Sequence, residues 1–263
     1  MLCSYHCHTI FSDGDCSMED NVRAAIELGL DALGISDHYI LFPDRQIHWS
    51  MPTTGLPDYF TGLQAAREAA GDKLAFRFGV EADYIPETAG RLGDQLAQFP
   101  FDYVIGSVHF VGDFPIDESA GHWDALAQDQ RNLTIQKYWH LIADMAHSGL
   151  FDIVGHADLY KKFGHYATID LSEDISAALD AIAESGMAVE VNTSGPRYTG
   201  EAYPCTNIIR QCHERNIPTL VTADAHNPAH LIRYFEIGTA ALKAAGYAHQ
   251  ATFDKRRMEL VRF

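Results

Sequence analysis

Basic residues are scarce in this chain. Lysine and arginine together number 19 against 36 aspartates and glutamates, for a formal net charge of −17. Such a surface repels phosphate backbones and anionic headgroups, which argues against nucleic acid and against anionic membranes as partners. Basic residues cluster only at Lys161-Lys162 and Lys255-Arg256-Arg257, and both clusters read as solvated faces rather than grooves. Long apolar runs are missing as well. None approaches the roughly 20 residues that span a bilayer, and no basic stretch followed by an apolar run opens the sequence. The five cysteines, Cys3, Cys7, Cys16, Cys205 and Cys212, share no repeated spacing. An odd, unpatterned set with no secretory segment reads as reduced thiols, and the expected compartment is the cytoplasm. No linker, low-complexity tract or internal repeat interrupts the 263 residues, so a single domain over 1–263 is expected.

What is present is a rhythm. Short runs rich in Val and Ile alternate with longer amphipathic ones. Strands are predicted at Leu2–His6, Ala32–Ser36, Ala75–Ala82, Tyr103–Val108, Ile153–Gly155, Ala188–Asn192 and Thr219–Thr222. Helices are predicted at Met18–Leu28, Phe60–Ala70, Ile175–Ser185, Thr206–Arg215 and Ala229–Ala245. Ser17 is a good N-cap for the first of these, and Gly29 and Gly186 are good stop signals. The stretch from Asp117 to Gly149 is long enough for two helices with Trp123 and Trp139 packed inside. Alternating strands and helices imply an α/β fold with parallel strands inside and helices outside. Seven such units point to a barrel, incomplete or distorted, rather than a small open sheet.

The polar residues fall at particular places in that rhythm. His6 and His8 close the first strand, Asp37 and His38 the second, and Glu81 lies near the end of the third. His109 and His156 follow the fourth and fifth, Asn192 closes the sixth, and Asp224 and His226 follow the seventh. In an α/β barrel those ends meet at one mouth, where active sites form. Imidazole and carboxylate are ligands for zinc, manganese and iron, and a bridging carboxylate holds two ions about 3.5–4 Å apart. Residues two apart on a strand point the same way, so His6 and His8 can grip one ion, and Asp224 and His226 repeat the arrangement. Cys7 then points to the opposite face. Asp13, in Ser12-Asp13-Gly14, reads as a ligand or as a turn residue. Asp37 reads as a ligand or as a partner orienting His38. His48, His122, His140, His147, His165, His213, His230 and His249 lie in helices or loops without acidic partners in register and read as ordinary structural residues. The segment Glu190-Val191-Asn192-Thr193-Ser194-Gly195-Pro196-Arg197 runs from a buried strand into a turn that delivers Arg197, a bidentate phosphate binder, to the mouth.

Laid out in this order, the chain resembles the PHP (polymerase and histidinol phosphatase) superfamily, and within it the histidinol-phosphate phosphatases. The matching motifs are His6-Cys7-His8, Ser12-Asp13-Gly14, Ser36-Asp37-His38, Glu81-Ala82-Asp83-Tyr84 and Gly106-Ser107-Val108-His109-Phe110. Gly155-His156-Ala157-Asp158-Leu159, Glu190-Val191-Asn192-Thr193-Ser194-Gly195 and Ala223-Asp224-Ala225-His226 complete the set. The resemblance implies a distorted (β/α)7 barrel holding two or three divalent transition-metal ions, zinc, manganese or iron. His6, His8, Glu81 and Asp224 would hold the first ion. Glu81, His109 and His156 would hold the second, with Glu81 bridging, and Asp13, His38 and His226 the third. Some members carry a histidine after the first motif where this chain has Ser12-Asp13-Gly14.

The implied reaction is hydrolysis of L-histidinol phosphate, in histidine biosynthesis, by a hydroxide bridging two ions. Arg197, His226 and Asp224 are the expected catalytic residues. Arg197, Asn192, Ser194, Tyr84 and Phe110 are expected to bind the substrate, a small phosphorylated metabolite. Tyr39, Asp158 and Tyr160 also follow strand ends and are further candidates. The sequence sets no oligomeric state. Two other readings stand beside this one: a phosphoesterase of the same superfamily acting on another small ester or on nucleotides, and a non-catalytic metal-binding module.

Overall fold

A computed structural model describes residues 1–263. In chain order its elements begin with β1 (Cys3–Ser4), α1 (Met18–Leu28), β2 (Ala32–Ile35), β3 (His38–Tyr39), α2 (Leu56–Ala70), β4 (Ala75–Phe78) and β5 (Glu81–Asp83). Then come α3 (Ala89–Leu96), β6 (Ile105–Ser107), the small hairpin β7 (Phe110–Val111) and β8 (Phe114–Pro115), α4 (Ala120–Asp124) and α5 (Gln128–His147). The remainder is β9 (Ile153–Val154), α6 (Ser172–Ser185), β10 (Ala188–Asn192), α7 (Pro196–Thr199), α8 (Thr206–Glu214), β11 (Thr219–Thr222), α9 (Phe235–Ala245), β12 (His249–Asp254) and β13 (Arg257–Arg262). No helix is long and apolar enough to cross a membrane.

The parallel strands close into a ring of seven staves. β1, β2 and β4 pair in one sheet, and β3, β5, β6, β9, β10 and β11 pair in another. β3 prolongs the stave begun by β2, and β5 prolongs that begun by β4, past short breaks at Ser36-Asp37 and Gly79-Val80. The circle closes where Cys7 bridges Ala225 in parallel, with His8 N donating to Ala225 O at 2.8 Å and Ala225 N to His6 O at 3.1 Å. The expected seven-stave barrel is present, and the two breaks are its distortion. The second of them divides the predicted strand Ala75–Ala82 in two.

Local chemistry explains the helix ends. Ser17 and Asp20 form a reciprocal capping box on α1, which stops at Gly29 with φ 71°. α6 stops in the same way at Gly186, φ 74°. α2 starts at Leu56, four residues ahead of expectation, with Pro57 in its first turn where no amide donor is needed. The helix expected over Ala229–Ala245 begins only at Phe235. Asn227 caps a short 3-10 turn over Pro228–His230, and Tyr234 adopts a left-handed conformation before the helix proper. α4 and α5 occupy the segment expected to hold two helices, and Trp123 and Trp139 are both fully buried there.

The lower barrel is filled by Tyr5, Tyr103, Ile105, Ile153, Ala188 and Leu220, capped from below by Ala251 and Phe253 of the C-terminal hairpin. Tyr103 donates to Tyr5 O at 2.5 Å, and its ring occupies the space a Cβ would need at Gly34 and Gly79. Glycine is required at both positions by this close approach. The β12–β13 hairpin has no counterpart among the predicted strands. Its turn residues, Lys255 and Arg256, take φ values of 52° and 61°, a conformation signalled far more strongly by Asn-Gly. The basic cluster Lys255-Arg256-Arg257 is exposed, as expected of a solvated face, and Arg256 also pairs with Asp152 and donates to Leu150 O at 2.8 Å.

Candidate metal centre

Glu81 is the hub of the barrel mouth. It is fully buried, and its two carboxylate oxygens face different partners. Oε2 lies 3.0 Å from His6 Nε2, 3.5 Å from His8 Nε2 and 2.8 Å from His38 Nδ1. Oε1 lies 3.0 Å from His156 Nε2 and 3.7 Å from His109 Nε2, and accepts the Ser107 hydroxyl at 2.6 Å. Asp224 Oδ1 stands 3.1 Å from His8 Nε2 and 3.6 Å from His6 Nε2. Asp13 meets His226 Nε2 at 3.2 Å and His38 Nε2 at 3.7 Å. All nine residues expected as ligands therefore converge on one small volume. Their donor atoms fall into four groups of three or more within 4.8 Å, two of which share Glu81.

The donor set fits divalent ions. His8 Nδ1, His38 Nδ1 and His156 Nδ1 are buried with no hydrogen-bond partner, His38 Nδ1 being near Glu81 but out of line. Such atoms are costly unless another interaction satisfies them. His156 and Asp224 also hold positive φ values of 20° and 51°, local strain of the kind concentrated at functional sites.

A second ring of contacts orients the first. Glu190, fully buried, accepts from His6 Nδ1 at 2.7 Å, from Thr222 Oγ1 at 2.9 Å and from His156 N at 2.7 Å. Asp83 does the same for His109, with Nδ1 to Oδ1 at 2.7 Å. Neither was assigned a role from sequence, although Glu190 lies two residues before Asn192 on one strand and so shares its face. Asp37 neither joins the donors nor orients His38. It accepts Thr9 N, Thr9 Oγ1 and Ser12 Oγ at 2.6–2.8 Å, which shapes the turn that presents Asp13. Cys7 points away as expected, its thiol donating to Gly34 O.

The electrostatics of the cluster are mutual. Burial would raise the Glu81 and Asp224 carboxyls, yet the surrounding imidazoles hold both well below their usual range. Burial would lower His109, but Asp83 beside it raises the imidazole to about 10. Burial is likewise outweighed at His226, raised to about 9 by Asp13 and Asp224. At His8 burial prevails, aided by His38 and His226, and the ring falls to about 3.

Above the donors opens a cavity of about 480 Å³. Arg197 lines it from α7, exposed and without an ion-pair partner, as do Ser194 and the carboxylate–imidazole groups of Asp13, Asp224 and His226. Arg233, unassigned from sequence, lines the same cavity with its Nε buried and unpartnered. His230 and Lys162 line it too, and Lys162, paired with Asp117 at 3.1 Å, is not the solvated residue expected. Lys161 is buried, bound to Asp158 at 2.9 Å and Glu201 at 3.0 Å, so the basic pair is not a solvated face.

Three expected substrate residues lie elsewhere. Tyr84 and Phe110 line a neighbouring apolar pocket, because each leaves its strand end pointing outward rather than over the mouth. Asn192 sits beneath the cavity, its amide donating to Glu190 and Asp224 and its carbonyl accepting from Ser194, so it positions rather than binds. Of the further candidates, Tyr39 is fully buried and Asp158 is engaged by Lys161. Tyr160 packs between Tyr138 and Trp139.

The PHP domain family matches residues 4–194. The chain belongs to that family. Over 261 residues, 98% of each chain, this PHP domain is 34% identical to a Deinococcus radiodurans protein named "Probable histidinol-phosphatase". It is 25% identical to the histidinol-phosphatase of Bacillus subtilis, covering 95% of this chain and 97% of the relative. Its fold matches the crystal structure of the histidinol phosphate phosphatase of Lactococcus lactis, complexed with zinc, L-histidinol and phosphate. That match has a TM-score of 0.81 over 98% of both chains, at 20% identity.

Proposed function

We propose that this PHP domain is a metal-dependent phosphomonoesterase that hydrolyses L-histidinol phosphate to L-histidinol and phosphate, a step of histidine biosynthesis. One observation carries the reading: two arginines without acidic partners, Arg197 and Arg233, face the cavity that opens on the Glu81-centred donors. A phosphoryl group needs both features, cationic forks for its peripheral oxygens and a site for divalent ions beside the phosphorus. The named relatives supply the substrate. His6, His8, Glu81 and Asp224 would hold one ion, Glu81, His109 and His156 a second, and Asp13, His38 and His226 a third. Zinc, manganese and iron all suit these donors. Ions held there would lower the pKa of a water towards neutrality and offset charge on the phosphoryl oxygens.

The protein groups do the rest. Arg197 and Arg233 clamp the phosphoryl oxygens, and the Ser194 hydroxyl, already oriented by Asn192, offers a further contact. His226 and Asp224 line the same cavity beside the proposed ion sites and are the groups assigned to act on a bound ester there. The five free cysteines support a reducing compartment, the cytoplasm.

The test is turnover by metal-verified protein of L-histidinol phosphate against a panel of phosphate esters and oligonucleotides. Fastest release of phosphate from histidinol phosphate supports the assignment. Faster cleavage of nucleotides, or metal binding without any phosphatase activity, would sink it. Arg197→Ala and Arg233→Ala should each lower kcat/KM by about tenfold or more, in line with loss of one charged contact.

A further inference from the structure

Beside the metal centre lies a second cavity, of about 450 Å³, which the proposed reaction does not use. Its floor belongs to a small apolar cluster separate from the main core, in which Phe42, Ile85 and Phe110 are each only 6–7% exposed. Leu141 of α5 and the ring of Tyr84 complete the apolar lining. The size is that of a small-molecule site, and apolar walls with a few polar groups are the usual make-up of one. None of the nine proposed metal ligands lines it. Phe110 is the link between the two cavities, since its ring runs parallel to Trp49 at 6.1 Å and Trp49 lines the metal-centre cavity.

Five acidic, basic or imidazole groups stand around this second cavity, and three of them are engaged. Asp113 is paired with Arg45 at 2.6 Å, Asp44 lies 3.9 Å from the same guanidinium, and His140 Nε2 meets Asp174 Oδ1 at 2.6 Å. Glu87 and Lys137 are left over, with neither an ion-pair nor a hydrogen-bond partner. Glu87 comes from the short turn after β5. Lys137 comes from α5, four residues before Leu141 and so on the same face of that helix. Tyr84 adds a hydroxyl that burial, with Asp144 and Glu87 nearby, keeps protonated and able to donate. An apolar floor is thus flanked by one free ammonium and one free carboxylate.

We propose that this cavity binds a free α-amino acid with a flat apolar side chain, its carboxylate on Lys137, its ammonium on Glu87 and its ring over Phe42 and Phe110. A zwitterion uses both unpaired charges at once. A simple acid would meet Glu87 with like charge, and a simple amine would meet Lys137 in the same way, so each residue also acts by exclusion. The ring preference comes from the floor, because aromatic pairs gain more than the area they bury. The site takes nothing from the metal centre and stands independently of the phosphatase reading.

The test is calorimetric titration of full-length, metal-verified protein with L-phenylalanine. Saturable binding is expected. Binding of 2-phenylethylamine, which lacks the carboxylate, and of 3-phenylpropanoate, which lacks the ammonium, should be weaker by about tenfold or more. Lys137→Met and Glu87→Gln should each weaken L-phenylalanine by about tenfold, the size expected for one charged hydrogen bond. Arg197→Ala, at the metal-centre cavity, should bind it as the parent does. Absence of saturable binding overturns the proposal, and so does loss of binding in Arg197→Ala, which would put the amino acid at the barrel mouth. Affinity within about twofold of the parent's in either Lys137→Met or Glu87→Gln, or equal binding of either singly charged analogue, would overturn the zwitterion site as well.

Discussion

His6 Nδ1 and Glu190 Oε2 lie 2.7 Å apart, both fully buried, and this contact decides which face of the imidazole meets the other donors. With Nδ1–H given to Glu190, the lone pair on Nε2 is directed to the space shared by Glu81 and Asp224. Glu190 also accepts His156 N, so a single carboxylate sets two of the proposed ligands. Glu190→Gln keeps the shape but exchanges an acceptor for an amide. Metal affinity should fall about 10- to 100-fold, as expected for loss of an outer partner of a ligand. Titration of the metal-free variant with zinc or manganese measures this, and an unchanged affinity would show that Glu190 is only packing.

Metal uptake should release protons. In the metal-free cluster His109 is raised to about 10 by Asp83 and His226 to about 9 by Asp13 and Asp224, each against the effect of burial. Both imidazoles therefore carry a proton at neutral pH, and an ion must displace it to bind. Because protons compete more effectively as pH falls, apparent metal affinity should drop from pH 8 towards 6, and it should rise with pH until His226 and then His109 give up their protons, near 9 and 10. Calorimetry in buffers of different ionisation enthalpy counts the protons released. Affinity independent of pH over this range would contradict the picture.

How legible the site was depended on whether a residue's place follows from strand alternation alone. His6, His8, Glu81, Asp224 and His226 lie at the ends of parallel staves, and parallel staves of one barrel can only converge. Glu190 was legible in principle, since it shares a strand face with Asn192. Trp49 was not, because it sits in a loop whose path depends on Phe42, Phe110 and the β7–β8 hairpin. Arg233 was hidden by a helical pattern that Pro228 and Tyr234 interrupt. Tyr84 and Phe110 show the opposite error: each directly follows a residue that faces the donor cluster, Asp83 and His109, and alternation sends the next side chain to the opposite face. In the fold, seven staves were readable from hydrophobic rhythm, but the closing hairpin was not, because Lys255 and Arg256 fill turn positions that glycine and asparagine usually mark.

Tyr103 and Gly79 make a testable prediction about the barrel floor. A Cβ at Gly79 would overlap the Tyr103 ring, which is fixed by its hydroxyl on Tyr5 O and by the packed lower barrel. Gly79→Ala should therefore destabilise the protein by about 1–3 kcal/mol, the usual range for overpacking a core. Combined with Tyr103→Ala, which clears the ring, the substitution should cost measurably less than it does alone. Denaturant unfolding of the single and double variants gives the coupling. Strictly additive costs would mean that the clash is relieved in some other way.

Lys161 and Asp158 form a buried ion pair at 2.9 Å, with side-chain exposures of 3% and 1%. The same ammonium donates to Glu201 at 3.0 Å and to Ala202 O at 3.1 Å, in the segment that leads out of α7. Lys161 therefore ties the loop bearing His156 to the loop bearing Arg197. Lys161→Met removes one partner and leaves the Asp158 carboxylate buried and uncompensated, a loss expected to cost about 3–5 kcal/mol. Asp158→Asn in the same chain removes the orphaned charge while keeping a carbonyl to accept Cys205 N, which now donates to Asp158 at 2.9 Å. The double variant should recover much of the stability. It should not recover function to the same degree, because the tether to Glu201 and Ala202 is still missing and Arg197 loses its fixed position. In the double variant KM for the phosphate ester should rise several-fold while kcat changes less, in keeping with a lost binding contact. If stability and KM return together, Lys161 acts only on the fold and the tether to Arg197 is refuted.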